Sequence, residues 1–317
     1  MKRIALVTRD CAGINPCIRA VVRSADSYGI EIKGVFRGYD GLIDNKLIPL
    51  TRRSVSGIIN QGGTILKASR SKRFMTEAGQ LAALRNLKNN QIDGLIVVGG
   101  NGSLTGACTF AARCDFPVVG IPATIDNDIN GVAWAIGADT AVNVALDALD
   151  KIRDTAISLE RIFVVEVMGR DCGYIALRVA LAGGCEEVIL PEREFNIEAM
   201  CEEITEGNRE GKISWIIIVA EGKAKAPIVA KKINEVTGLE TREVVLGHIQ
   251  RGGRPTAIDR ILAARYGTYA VELIKDGERN VCVSLQGNTL TTIPLDEAIK
   301  PKDVEVDAFY RLIKLLT

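Results

Sequence analysis

The chain has 317 residues, of which 47% are hydrophobic and 25% charged, and its formal net charge is +1. A chain of this length can form one large domain or two medium ones, each with its own core. The near-zero charge gives no general attraction to nucleic acid or to an anionic membrane, so we expect neither as a partner.

The cysteines and the N-terminus indicate a cytoplasmic protein. The 8 cysteines are scattered and form no C-x-x-C pair, which is typical of small buried residues in a reducing compartment. The apolar segment after Met1 is too short for the hydrophobic region of a signal peptide. No run of about 20 apolar residues is present to cross a membrane.

Short β-branched runs alternate along the chain with segments of helical period. Strands are predicted at Ile4–Thr8, Glu31–Phe36, Gly94–Val98, Val118–Pro122, Arg161–Val167, Glu187–Leu190, Trp215–Ala220, Val244–Leu246 and Val281–Leu285. Helices are predicted at Asn15–Tyr28, Glu77–Asn89, Thr140–Ile157, Ile197–Asn208, Ile228–Thr237 and Ala257–Leu273. This alternation indicates βαβ crossovers. We therefore expect an α/β protein with two Rossmann-like, doubly wound lobes and mainly parallel sheets.

Polar runs follow four of the predicted strands. In open parallel sheets, ligands bind beyond the carboxyl ends of the strands, so these runs are the candidates for a functional site. They are Gly99-Gly-Asn-Gly-Ser103, Thr124-Ile-Asp-Asn-Asp128, Met168-Gly-Arg170 and Gly247-His-Ile-Gln-Arg-Gly-Gly253.

The first two runs each allow more than one interpretation. The glycines of Gly99–Ser103 would let main-chain N–H groups approach a phosphate, but a dinucleotide-binding turn or a plain tight turn has the same pattern. The carboxylates of Thr124–Asp128 suit a phosphoryl-transfer site, which needs a proton acceptor and ligands for Mg²⁺. An Asx-turn or a helix cap is the alternative. The position of this run one strand after the glycine run favours the functional interpretation.

Two sets of basic residues are candidates for anion binding. The guanidinium group of arginine can donate two parallel hydrogen bonds to phosphate oxygens. The first set is Arg161, Arg170, Arg242, His248 and Arg251. The second set is Arg19, Arg23, Arg52, Arg153 and Lys212. Arg19 and Arg23 lie one helical turn apart and would repel each other, which an anion would relieve, although a solvated helix face is the simpler explanation. His248 has no Cys or His companion at metal-ligand spacing.

Several segments, in order and at matching spacing, make the whole chain resemble the bacterial 6-phosphofructokinase family. They are Thr124–Asp128, Arg161–Arg170, Gly183–Glu186, Glu240–Arg242 and Val245–Gly253. The resemblance implies a homotetramer that uses Mg²⁺ to transfer the γ-phosphoryl group of ATP to the 1-hydroxyl of fructose 6-phosphate. It implies a donor lobe of residues 1–138 and 252–302, and a fructose 6-phosphate lobe of residues 139–251 and 303–317.

The resemblance also implies roles for the matching positions. Asp126 would be the base on the sugar hydroxyl, with Thr124 beside it, and Arg170 would steady the transferred phosphoryl group. The metal positions would be Asp128, Asp126 and Asn101. Donor contacts would come from Thr8, Tyr39, Arg70, Gly100, Asn101, Gly102 and Ser103. Sugar-phosphate contacts would come from Arg161, Met168, Gly169, Arg170, Glu221, Arg242, His248 and Arg251, with Arg161 and Arg242 supplied by a neighbouring subunit. A pocket for a nucleotide or phosphoenolpyruvate effector would comprise Arg19, Arg23, Arg52, Arg153, Glu186 and Lys212.

Departures from the family pattern fall on the donor side. Thr8-Arg9-Asp10-Cys11-Ala12-Gly13 stands where the family has Gly-Gly-Asp before Ala-Pro-Gly, so side chains replace space usually open to the donor phosphates. Two alternatives follow for Arg9, which either contacts a phosphate or blocks it. Asn101 replaces an Asp expected near Mg²⁺, and a neutral amide is a weaker ligand for a hard cation. Lys67 replaces a usual Gly and adds positive charge.

Three hypotheses about function follow. An ATP-dependent 6-phosphofructokinase is the first, because Gly102 and Ala123 stand where pyrophosphate-using relatives carry Asp and Lys. A pyrophosphate-dependent enzyme is the second. A non-catalytic homologue that binds sugar phosphate and effector is the third, favoured by Asn101 and the Thr8-Arg9 loop but opposed by the retained Asp126.

Overall fold

The computed structural model describes residues 2–317 and separates them into two compact units. The first unit comprises the residues up to Thr140 together with Arg251–Lys302. The second comprises Ala141–Gln250 together with Asp303–Thr317. The boundaries of these two units lie close in sequence to the lobe boundaries that the family resemblance implies.

The strands over residues 2–317 are β1 (Arg3–Thr8), β2 (Glu31–Val35), β3 (Leu47–Leu50), β4 (Gly94–Gly99), β5 (Val118–Pro122), β6 (Ile162–Val167), β7 (Glu187–Ile189), β8 (Trp215–Ala220), β9 (Thr241–Val245), β10 (Val281–Gln286) and β11 (Thr289–Pro294). The first unit holds a sheet of order β11-β10-β5-β4-β1-β2-β3, and the second holds a sheet of order β7-β8-β6-β9. All pairs are parallel except β2–β3 and β10–β11 at the two edges of the first sheet.

The helices over the same residues are α1 (Ile14–Ser27), α2 (Gly38–Ile43), α3 (Glu77–Asn89), α4 (Asn101–Ala111), α5 (Ala138–Leu159), α6 (Tyr174–Ala182), α7 (Ile197–Arg209), α8 (Ala226–Thr237), α9 (Ala257–Lys275), α10 (Leu295–Ala298) and α11 (Asp307–Leu316). None of these described helices combines the length and the apolar composition needed to cross a membrane.

The central strands of both sheets are covered on both faces. Every residue of β4, β5, β6 and β8 is buried, which explains why these segments lack an alternation of apolar and polar residues. The prediction of mainly parallel α/β sheets is confirmed. Each of the nine predicted strands overlaps an observed strand, as does each of the six predicted helices with an observed helix.

The two strands that the sequence pattern missed are both antiparallel edge strands. β3 carries Pro49, which only an edge strand tolerates well, and β11 is rich in half-exposed threonine. Their sequences lack the continuous apolar run by which buried strands are found. The short helices α2 and α10, and α6 and α11 of the second unit, were also not predicted.

Asp259 joins three segments of the first unit. Its buried carboxylate accepts hydrogen bonds from the N–H of Gly137 and of Thr140, each at 2.8 Å, and from the Thr140 hydroxyl at 2.5 Å. Burial raises the pKa of Asp259, and these hydrogen bonds oppose that shift. Gly137 has φ +98°, and a side chain there would collide with Cys11. The loop before α1 is therefore packed against the start of α5.

Replacing Asp259 with Ala should lower the free energy of unfolding by about 2–4 kcal/mol, because two buried main-chain N–H groups lose their acceptor. Urea denaturation followed by circular dichroism measures this change. Asp147→Asn, at a highly exposed position, is the control and should change it by about 0.5 kcal/mol or less. An equal effect of both substitutions would contradict the role given to Asp259.

Candidate active site

The glycine run (Gly99–Ser103) and the acidic run (Thr124–Asp128) lie side by side at the carboxyl ends of β4 and β5 in the first sheet. β4 and β5 are neighbours in parallel register, with Gly99 opposite Pro122. The N–H of Ala123 donates to the carbonyl of Gly99 at 3.0 Å. A side chain at Gly100 would lie 3.1 Å from Cβ of Thr124, so only a small residue allows this approach. Parallel pairing thus brings together two runs separated in sequence.

Asn101 and Asp128 form a hydrogen-bonded pair across these two runs. Nδ2 of Asn101 donates to Oδ2 of Asp128 at 2.7 Å and to its main-chain oxygen at 3.3 Å. Oδ1 of Asn101 and Oδ1 of Asp128 are both buried and accept no hydrogen bond from the described residues. Buried oxygens without donors are costly, and a cation would satisfy them.

The side-chain oxygens of Asn101 and Asp128 fit Mg²⁺, but the two residues carry little negative charge. Carboxylate and amide oxygens are the hard ligands that Mg²⁺ prefers. Within residues 2–317, however, no group of three His, Cys, Asp or Glu side chains is placed to hold a metal ion. Asp128 and Asn101 are therefore the candidates, and the pair carries one negative charge where two carboxylates would carry two.

Asn127 anchors the turn within the acidic run. Asn127 has φ +50°, its Oδ1 accepts from the N–H of Ala135 at 2.8 Å, and its Nδ2 donates to the carbonyl of Ala133 at 3.0 Å. The N–H of Asp126 donates to the hydroxyl of Thr124 at 3.2 Å. The side chain of Asn127 thus holds the segment that contains Ala133 and Ala135, and Asp126 is a buried carboxylate with 4% exposure.

Two of the expected donor contacts, Tyr39 and Thr8, are buried. Tyr39 stacks on Phe74 at 4.0 Å between ring centroids, and its hydroxyl donates to the carbonyl of Ser103 at 2.6 Å. Burial raises the pKa of the Tyr39 hydroxyl, which keeps it a donor. Thr8 is also buried and shares a hydrogen bond with Thr64 at 3.0 Å. Tyr39 thus supports the first turn of α4 and Thr8 contacts Thr64, and the contact of these two residues with the donor stays a prediction.

Of the other expected donor residues, Gly102 and Arg70 are exposed and Ser103 is buried. α4 begins at Asn101 without a side-chain cap, which leaves N–H groups at its start. A side chain at Gly102 would meet no atom within 4 Å, and Arg70 is exposed. Ser103 is buried in the first turn of α4. Lys67 is exposed with φ +58°, a conformation that suits the glycine usual in the family.

In the second unit, Glu221 holds the loop Met168-Gly-Arg170. Its Oε1 accepts from the N–H of Gly169 at 3.3 Å and from the N–H of Arg170 at 3.0 Å. Gly169 and Arg170 both have positive φ. A side chain at Gly222 would lie 1.9 Å from the carbonyl oxygen of Arg170, so this position requires glycine. Glu221 and the loop, expected to act together, are in contact.

Gln250 is a residue of this region that the sequence analysis did not single out. It is fully buried, and its Oε1 accepts from the N–H of Met168 at 2.9 Å. It thereby ties the run after β9 to the run after β6, and these strands are parallel neighbours. Its place in the run Gly247–Gly253 was the available signal. His248, two residues earlier, is exposed.

Arg161 and Arg242 lie at the opposite end of the second sheet. Arg161 precedes β6 and Arg242 is near the start of β9, whereas Met168 follows β6. The length of β6 separates the two ends by about 20 Å. Both arginines lie beside the carboxylate of Glu240, with 2.9 Å between Nε of Arg161 and Oε2 of Glu240. Within one chain they therefore do not meet Met168.

The expected effector residues divide between the units. In the first unit Arg19 and Arg23 lie on α1, and Arg52 pairs with Asp26 of α1 at 2.9 Å. In the second unit Arg153 donates to the carbonyls of Gly183 and Gly184, and Lys212 lies 3.3 Å from the buried Glu186. Arg251 belongs to the first unit, where its guanidinium donates to the carbonyl of Asp10 at 3.2 Å.

Comparison with known proteins identifies the family of this chain. A family model described as phosphofructokinase matches residues 3–274. The chain belongs to the phosphofructokinase family. It is 48% identical to the ATP-dependent 6-phosphofructokinase of Thermotoga neapolitana and 47% identical to that of Clostridium tetani, with 100% of each chain covered. A solved structure of phosphofructokinase from Saccharomyces cerevisiae matches 98% of the chain at 32% identity and a TM-score of 0.89. The chain spans 50% of that yeast chain.

Replacing Asn101 with Asp should strengthen Mg²⁺ binding to the protein alone by at least about tenfold, because two carboxylates would then face the same space. Isothermal titration with MgCl₂ in the absence of nucleotide measures the affinity. The control is Asn288→Asp, which adds the same charge at an exposed turn. Unchanged Mg²⁺ affinity in Asn101→Asp would show that this pair is not a cation site.

Proposed function

We propose that this chain is an ATP-dependent 6-phosphofructokinase, which transfers the γ-phosphoryl group of ATP to the 1-hydroxyl of fructose 6-phosphate. The observation that carries this proposal is the contact between the glycine run and the acidic run, which includes Asp126. Supporting it are the full-length relatives named ATP-dependent 6-phosphofructokinase.

In the proposed reaction, the 1-oxygen of the sugar attacks the γ-phosphorus of ATP, and the bond from that phosphorus to the bridging oxygen of ADP breaks. The buried carboxylate of Asp126 accepts the proton of the attacking hydroxyl. Thr124 holds the main chain of Asp126 through the hydrogen bond to its N–H. Mg²⁺, held by Asp128 and Asn101, would neutralise charge on the phosphates when bound.

The glycine run supplies the donor side. Gly100, Asn101 and Gly102 lie at the start of α4, where uncapped N–H groups and the helix dipole favour the negative charge of phosphates. The pyrophosphate alternative draws no support from side chains here, because Gly102 and Ala123 are small. ATP is therefore the donor that we propose.

The second unit is proposed to bind fructose 6-phosphate. Glu221 and Gln250 fix the loop Met168–Arg170, and Arg170 is proposed to steady the transferred phosphoryl group. His248 and Arg251 are proposed ligands of the 6-phosphate. Because Arg161 and Arg242 lie about 20 Å from Met168, their proposed role requires a second copy of the chain. A homotetramer would provide that copy.

An effector site is a further part of the proposal, with a nucleotide or phosphoenolpyruvate as the ligand. Nε of Arg23 is buried and donates to no described acceptor. Lys212 and Glu186 are a pair of opposite charge at 3.3 Å in the second unit. Arg19 and Arg23 of α1 are the groups proposed to bind the anion.

The purified protein, incubated with fructose 6-phosphate and Mg²⁺, should form fructose 1,6-bisphosphate with ATP and not with pyrophosphate. Asp126→Asn should lower kcat by about 10²–10⁴-fold, because the proton acceptor is lost, while the affinity for fructose 6-phosphate stays nearly unchanged. Asp115→Asn, at a position whose side chain is 89% exposed, is the control.

Each other outcome of this assay identifies an alternative. Turnover with pyrophosphate but not with ATP would show that pyrophosphate is the phosphoryl donor. Binding of fructose 6-phosphate without turnover from either donor would mean a non-catalytic homologue. Full activity in Asp126→Asn would remove the base from the proposed mechanism.

A subunit-mixing experiment tests the shared site. Arg242→Ala should raise the KM for fructose 6-phosphate by about 10–100-fold with little change in kcat. Mixed tetramers of Arg242→Ala and Asp126→Asn chains should exceed the summed activities of the two variants at low substrate, because some sites then contain both native residues. Tetramers mixed from Thr124→Ala and Asp126→Asn, two changes in one run, are the control and should show no gain. No gain in the first mixture would place Arg242 outside the site.

A further inference from the structure

Three arginines converge beside the glycine run of the first unit. Arg9 follows β1, and its N–H donates to the carbonyl of Val98 at the end of β4 at 3.0 Å. Its side chain crosses Gly99, since an added Cβ at Gly99 would lie 2.9 Å from Cγ of Arg9. The Arg9 guanidinium donates to the carbonyl of Ser69, the residue before Arg70. Arg251 donates to the carbonyl of Asp10, the residue after Arg9.

These guanidinium groups are not neutralised by ion pairs. Arg9 and Arg251 donate to main-chain carbonyls, and within residues 2–317 no carboxylate forms an ion pair with either of them or with Arg70. Arg9 is half-buried, and burial, followed by the charges of Arg70 and Arg251, lowers its pKa; Asp10 opposes this shift. Three cations held together without ion pairs favour a ligand with several negative charges.

The surroundings of the cluster point to a phosphate chain. The uncapped start of α4 and the small residue Gly102 lie in the glycine run, which the Arg9 side chain crosses at Gly99. Both helix N–H groups and guanidinium groups suit a phosphate. Asn101 and Asp128, the nearby candidate ligands of a cation, together carry only one negative charge. The protein therefore supplies positive charge of its own beside the glycine run. Phosphate binding there depends less on the positive charge of a metal ion.

We propose that Arg9, with Arg70, binds the phosphate chain of the donor directly, so that the protein binds the donor without Mg²⁺ as well as with it. This inference rests on the proposed phosphoryl transfer for the identity of the ligand. Arg9 is in this view a donor-binding residue that lowers the dependence of donor affinity on the metal. Mg²⁺ is still expected to serve the transfer step.

Isothermal titration of the full chain with ATP, at constant ionic strength, in EDTA or in excess MgCl₂, tests the inference. The wild-type protein should bind metal-free ATP with a Kd within about tenfold of that for the Mg²⁺ complex. Arg9→Met should weaken metal-free binding by about 10–100-fold and binding of the complex by less. Arg9→Lys keeps the charge without the fork and should fall between the two proteins. Arg113→Met, which removes an arginine paired with Glu77 elsewhere in the unit, is the control.

The inference is overturned if the wild-type protein binds metal-free ATP more than about a hundredfold more weakly than the complex, or if Arg9→Met binds it as well or better. Phosphoryl transfer to fructose 6-phosphate, assayed in parallel, separates this failure from failure of the proposed function. If the wild-type protein turns over and Arg9→Met binds metal-free ATP as well as the wild-type protein does, only the inference about Arg9 is rejected. Arg9-dependent binding of ATP without turnover rejects the kinase proposal alone.

Discussion

The parallel pairing of β1, β4 and β5 is the constraint on which the candidate donor site depends. Parallel neighbours end at the same edge of a sheet, so the register Thr8 to Val98 and Gly99 to Pro122 delivers three distant chain segments to one place. Arg9 follows the first strand, the glycine run the second and the acidic run the third. Because the strands are buried on both faces, a slip in register would expose apolar side chains, and the positions of these runs are fixed accordingly.

Charge at this edge differs from what the family resemblance implies. Asn101 donates a hydrogen bond to the carboxylate of Asp128, where a second carboxylate would repel it. On the other side of the glycine run, Arg9 adds a guanidinium near Arg70 and Arg251. The two departures act in the same direction, since both make the surroundings of the donor phosphates more positive. A family member with this balance relies more on protein cations and less on a metal ion for donor charge.

The second unit presents a different physical problem, which is how to hold a loop in an uncommon conformation. Gly169 and Arg170 have positive φ, and the carboxylate of Glu221 compensates by accepting both of their N–H groups. Gly222 leaves room for the carbonyl of Arg170, and Gln250 fixes Met168. The arginines at the far end of the same sheet are too distant to join this loop in one chain. In the proposed enzyme, a second copy of the chain would therefore have to supply these arginines.

The sequence by itself determined the α/β class, the buried strands and the polar runs at their ends, because apolar runs and glycine turns are local signals. The motifs also placed the chain in its family. The edge strands β3 and β11 escaped prediction because their stability comes from a neighbouring strand and not from their own composition. Only the tertiary structure decided that Tyr39 and Thr8 are buried, that Asn101 donates a hydrogen bond to Asp128, and that Arg9 lies where the charges of Arg70 and Arg251 act on it. Those facts depend on contacts between segments far apart in the chain, and no local pattern encodes the direction of a side chain across a sheet.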